Sequence, residues 1–157
     1  MAEESEKTAT DHHIILRVTA KLLIPIITLY AFYVQFHGDY SPGGGFQAGV
    51  IFAVGIILYA LVFGVVDALK LVPASFARYL ALSGFLLYGL IGVITMVNGG
   101  NFLDYDFLFA EGPEGHHGQH YGILGVELGV LFAVAGSMLT IFYAFAGRAP
   151  EIRDEDW

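Results

Sequence analysis

Few residues of this chain carry titratable chemistry, and most of those stand at the edges of long apolar runs. Glu127 is the exception. In the stretch GVELGV it lies six residues after Tyr121, which at 1.5 Å per helical residue places it roughly 9 Å inside the run. A carboxylate at the centre of a bilayer costs about 2.5–3.5 kcal/mol on insertion scales, and somewhat less at this depth. Glu127 therefore reads either as a group that takes part in proton or cation movement, or as an acid held protonated or paired with another subunit. His37 and Asp39 border a glycine-rich stretch, where the imidazole would relay protons or bond a loop carbonyl. His116, His117 and His120 form an HHxxH cluster beside Glu111 and Glu114, the donor types of a surface divalent-metal site. Gly112, Gly115 and Gly118 leave that cluster without a preset geometry, which favours a solvated loop over a metal site.

Other chemistries are excluded or lack support. With no cysteine there is no disulfide, thiolate metal site or cysteine nucleophile. No Ser/His/Asp order, haem-ligand pair or carboxylate dyad with enzymatic spacing stands out, so neither an enzymatic activity nor a cofactor is expected. A formal net charge of -8 argues against a nucleic-acid partner. Asn98, Asn101, Asp104 and Asp106 would gather cations at one surface, but Phe102, Tyr105, Phe107 and Phe109 among them describe an interfacial anchor equally well.

These residues must be positioned by elements that live in lipid. The chain is 56% apolar and 14% charged over 157 residues, and the charges gather at the two ends and in interior gaps. Four apolar runs have spanning length: 17–36, 45–66, 76–97 and 121–145. Backbone groups in lipid must pair within their own segment, and no alternating ten-residue strand pattern occurs, so each run is expected to be helical and the four to form a helix bundle. The expected fold is an all-α integral membrane protein with four transmembrane helices. A polar segment at 1–16 precedes the transmembrane domain at 17–146, and a charged tail follows at 147–157. No small-residue cleavage pattern follows the first run, so a removed signal peptide is not expected. The basic residues Lys7, Arg17, Lys21, Lys70, Arg78, Arg148 and Arg153 all fall at the termini and around the second gap. By the positive-inside rule both termini are then cytoplasmic, and the 37–44 and 98–120 loops face outward.

Between the first two runs stands His37 to Gln47, HGDYSPGGGFQ. Ser41 and Pro42 read as an N-cap and a first helical residue, so the second helix is expected to start there with Gly43, Gly44 and Gly45 in its first turn. Three glycines cost roughly 1 kcal/mol each relative to alanine. Close approach of another backbone, or first-turn amides facing an anion, would compensate. Gly45, Gly49 and Ala53 recur every four residues and favour close packing. Gly125, Gly129 and Ala133 make a second such stripe, with Glu127 about 200° round the helix from Gly125. A nucleotide-binding loop is not expected, since neither a preceding strand nor a following Lys-Ser or Lys-Thr is present.

The order GDYSPGGGFQAGVIFA resembles the Pro-Gly-Gly-Gly-Phe-x-x-Gly signature of the B subunit, or MnhB-type domain, of Mrp-type multisubunit sodium/proton antiporters. Its elements fall at Pro42, Gly43, Gly44, Gly45, Phe46 and Gly49. FYVQFHG before it, GGNFLDYDFLF after the third run and the acid of GVELGV extend the resemblance over most of the chain, although the family more often carries Asp where this chain has Glu127. The resemblance implies a cell-membrane subunit of a hetero-oligomeric complex, with other subunits and membrane lipid as partners and sodium ions and protons as transported species. Its glycine faces would dock neighbouring helices or subunits, and Glu127, with His37 and Asp39, would line an ion path. Related subunits also occur in membrane-bound hydrogenases and ferredoxin-dependent complexes, so the ion-pumping arm of such a machine is the alternative. A self-associating four-helix channel or scaffold is a third reading. One deep acid is too few for a complete transport pathway in this chain alone.

Overall fold

The computed structural model describes residues 2–38, 43–109 and 117–147, with side chains described from residue 14 in the first stretch and from residue 118 in the last. The described residues are helical apart from short connections: α1 Ala2–Phe36, α2 Gly45–Phe63, α3 Val65–Leu71, α4 Ala74–Val97 and α5 His117–Ala146, with a 3-10 turn at Tyr105–Phe107. Four segments are long and apolar enough to cross a membrane: Ile14–Phe36, Gly45–Phe63, Ala74–Val97 and Gly118–Ala146. Pro25 lies inside α1 without ending it. Nearby, the Thr28 hydroxyl donates to the Ile24 carbonyl at 2.9 Å.

The four long helices do not close into the expected bundle. α1 packs on α2, α2 on α5 and α5 on α4, while α4 makes no substantial contact with α1 or α2. The result is an open row in the order α1–α2–α5–α4. Burial follows the row: 11% of the most apolar window of α1 and 22% of that of α4 are buried, against 28% and 33% for the flanked helices α2 and α5. What is buried is small. Ala20, Ala31, Ala48, Ala53, Ala60, Ala77 and Ala135 are enclosed, whereas Leu29, Leu61, Leu86, Val97 and Phe145 point outward. This reverses the arrangement of a soluble protein. In lipid there is no hydrophobic gain from hiding leucine, and helices associate through small residues that let their backbones come close.

Several span boundaries differ from the hydropathy reading. The second span ends at Phe63, not residue 66, because Gly64 takes φ 99° and ψ 149°, a backbone conformation that only glycine adopts readily. The segment read as a short gap then forms α3, with Asp67 in its first turn and Lys70 in its last, paired at 2.7 Å on the exposed surface. Ala53, Ala60, Ala68, Ala77, Leu139 and Tyr143 tie α2, α3, α4 and α5 together at this end. α5 begins at His117, four residues earlier than expected.

At the opposite end the 98–109 connection folds onto α4 and α5. Thr95 is fully buried. Its hydroxyl oxygen lies 2.9 Å from the carbonyls of Gly92 and Asn101 and accepts the Leu103 amide at 3.1 Å. Asn98 donates to the Phe107 carbonyl at 2.8 Å, and Gln119 donates to the Asp106 carboxylate at 2.8 Å. Asn98 and Asp106 are thus engaged in folding the loop. Phe109 meets the Tyr121 ring edge-on at 5.8 Å.

Candidate functional site

The glycine stretch and Glu127 come together. A Cβ placed on Gly38, just past the end of α1, would lie 2.7 Å from both carboxylate oxygens of Glu127. One placed on Gly44 would lie 2.9 Å from the nearer of them. At Gly45, the first residue of α2, an added Cβ would collide with the main-chain carbonyl of Glu127. The absence of side chains at these three positions is therefore what admits the carboxylate and its backbone.

The second helix does not start at Pro42, as the Ser-Pro pair suggested. It starts at Gly45 with Gly44 as N-cap, at φ 125° and ψ -171°, a region open essentially only to glycine. Gly43 and Gly44 are thus outside the first turn, and Gly44, as N-cap, has no side chain to offer it. The carboxylate of Glu127, reaching over from α5, stands beside a helix N-terminus, where unmet amides and the helix dipole favour negative charge.

The depth of the acid also changes. Counted from His117, Glu127 lies ten residues, roughly 15 Å, along α5, against the 9 Å expected from Tyr121. Both α5 and α4 continue past the level at which α1 and α2 stop, since Gly125 packs on Ile91 and α4 then runs on to Val97. This end of the row is stepped, and the glycine mouth with Glu127 forms the lower tread.

α5 presents different faces to its two neighbours. Glu127, Leu131 and Val134 meet Gly45 and Gly49 of α2. On the other face a Cβ placed on Gly125 would lie 2.8 Å from Ile91 Cδ1, one on Gly129 would lie 3.0 Å from the Gly84 carbonyl, and one on Gly84 would collide with the backbone of Ala133. Ala53 is fully buried in the inner cluster. These close approaches all lie within the chain. Phe46, by contrast, is 61% exposed. It flanks an apolar groove of about 440 Å³ between α2 and α4, floored by Gly129 and Ala133 of α5.

The remaining candidates are dispersed or undescribed. His37 stacks on Tyr33 with ring centroids 5.0 Å apart. His120 is exposed and meets Tyr121 at 5.6 Å. Asp39, Pro42 and His116 lie outside the described residues, as does the side chain of His117. Among the described residues no three His, Asp or Glu side chains are grouped to hold a metal. Tyr105, in the loop outside the spans, has its phenol pKa raised chiefly by burial, so it stays neutral.

One residue escaped the sequence reading. Gln35, in the last turn of α1 and three residues before Gly38, is 1% exposed, and among the described residues neither its Nε2 nor its Oε1 has a hydrogen-bond partner. Leaving such groups unmet costs about 1–3 kcal/mol each. The signal was present as the lone amide in FYVQFHG, but hydropathy does not distinguish a buried glutamine from one that reaches the interface.

Comparison with known proteins agrees with this architecture. Residues 15–140 match the family described as the domain related to the MnhB subunit of Na+/H+ antiporters. Proteins of Staphylococcus aureus strains Newman, JH1 and Mu3, each described as antiporter subunit mnhB2, are 34% identical over 139 residues, covering 87% of this chain and 96% of theirs. The matched stretch includes the glycine mouth, Gln35 and Glu127, and the chain belongs to the family of domains related to the MnhB subunit of Na+/H+ antiporters.

Proposed function

We propose that this chain is the MnhB-type membrane subunit of a multisubunit Na+/H+ antiporter, and that Glu127 is the group through which it bears on ion movement. It is a multi-pass protein of the cell membrane and a transporter component, not an enzyme, and other subunits of the antiporter are its partners. The observation that carries the role of Glu127 is its seat: a half-buried carboxylate within a membrane-capable helix, set against Gly38 and Gly44 at the N-terminus of α2. Protons and sodium ions would approach it from the outer side, past His37 and with Asp39, two residues on in the sequence, as a further group on that path, both termini being cytoplasmic. Lipid and neighbouring subunits would cover the two apolar faces of the row, with Phe46 and the groove beside it as a contact for one of them.

Exchange in everted vesicles from cells lacking their own antiporters tests the reading. Glu127→Gln should leave the complex assembled and lower Na+/H+ exchange by at least about a hundredfold, the lower end of the range for a positioned acid or base, while Glu127→Asp keeps part of it. Unchanged exchange in the assembled Gln variant would refute the role.

A further inference from the structure

We infer that Gln35 is a positioning residue for proton exchange at Glu127, holding a water molecule between its carboxamide and the acid. The inference rests on the proposed role of Glu127. Gln35 lies in the last turn of α1, three residues before Gly38, and Gly38, in the turn that follows, lies against the Glu127 carboxylate. α1 also touches α5 directly. Hence the buried amide, whose oxygen and nitrogen have no hydrogen-bond partner among the described residues, and the deepest acid of the chain belong to one corner of the row, beside the α2 N-terminus.

The unmet valences indicate what kind of ligand fits. A bare sodium ion would satisfy Oε1 and leave the Nε2 donor unpaired. A water molecule donates to Oε1 and accepts from Nε2, and its remaining valences reach the acid. A hydronium proton arriving along that water passes to the carboxylate, leaving neutral water on Gln35 and a protonated carboxyl. The reverse transfer restores both. Facing this corner, α1 contributes His37, with Asp39 beyond the described residues. α2 carries no titratable group until Tyr59 near its inner end, and α5 carries His120 about two turns outward. The Asp104, Tyr105 and Asp106 loop lies against the first turns of α5.

The test uses the assembled antiporter in vesicles, with exchange measured against pH. Gln35→Leu removes both valences at nearly constant volume. It should assemble with a melting temperature near the parent's, because the amide it removes bonds water and no other part of the chain. Its exchange profile should shift along the pH axis by about one unit from the parent's, since no water then links the acid to residue 35. Gln35→Ser, which keeps a donor and an acceptor, should recover the parent profile more closely than Gln35→Leu. A Gln35→Leu complex with the parent profile overturns the inference. So does failure of both Gln35→Leu and Gln35→Met to assemble, which would make the amide structural. If Glu127→Gln is also silent, the proposed role of the acid has failed. If Glu127→Gln blocks exchange and Gln35→Leu does not, only the present inference has.

Discussion

At the scale of single residues, the glycines divide into those that a methyl group would displace and those that it would not. At Gly45 the obstacle is the backbone carbonyl of Glu127. A carbonyl in a helix cannot turn aside as a side chain can, so Gly45→Ala must push α2 away from α5 and should cost about 1–3 kcal/mol, the usual range for overpacking. Gly89, on α4, has nothing within 4 Å of where its Cβ would stand, so Gly89→Ala should be neutral or should stabilise by up to about 1 kcal/mol through helix propensity. Thermal melting of the purified complex compares the two. Equal losses would show that crowding at the mouth is not what selects glycine there. Gly44 is governed by conformation as well as space, because at φ 125° any L side chain is strained whatever room it has.

At the scale of elements, the four spans were legible because composition alone decides them: lipid tolerates few charges, and each run must satisfy its own backbone. Their ends were not. Hydropathy continues smoothly from Phe63 through Val66, and the break depends on the dihedral angles of Gly64, which leave no trace in a sliding average. The start of α5 was hidden for the opposite reason, since HGQHYG is polar and glycine-rich yet helical, with Gly118 and Gly122 packed on Tyr105. Of the site, the glycine motif and the acid were visible separately, while their contact arises from packing and could not be read from spacing. The outer loop offers a test at this scale. Thr95→Val keeps the shape but removes the hydroxyl that the Leu103 amide donates to, leaving buried polar groups unmet at about 1–3 kcal/mol. Amide exchange should quicken across 98–109 and stay unchanged in the inner halves of α4 and α5. Asp67 and Lys70 provide the contrast. Their hydrogen bond raises the Lys70 pKa, so its stabilisation is complete below the ordinary lysine pKa and is lost only as pH rises through the raised one. Both groups are well exposed, where such pairs contribute little. Asp67→Asn should therefore melt like the parent throughout the neutral range.

At the scale of the whole molecule, an open row has no interior of its own. Each long helix keeps most of its apolar window uncovered, and the stepped outer end leaves Leu90, Val93 and Val97 of α4 exposed above the level of the glycine mouth. In the proposed reading lipid and partner subunits supply those walls, and the side of the membrane on which the step lies determines which solution reaches Glu127. The distribution of charge supports an outward step: Arg17, Lys21, Lys70 and Arg78 flank the end opposite the mouth, and basic residues are usually retained on the cytoplasmic side. The chain has no cysteine, so single cysteines report the topology without background. In intact cells, cysteine at Gly43 or Asn101 should react with a membrane-impermeant maleimide, while cysteine at Lys70 should react only after permeabilisation. The reverse pattern would place the glycine mouth in the cytosol, and Glu127 would then take its protons from the inner solution, with the outward approach proposed here withdrawn.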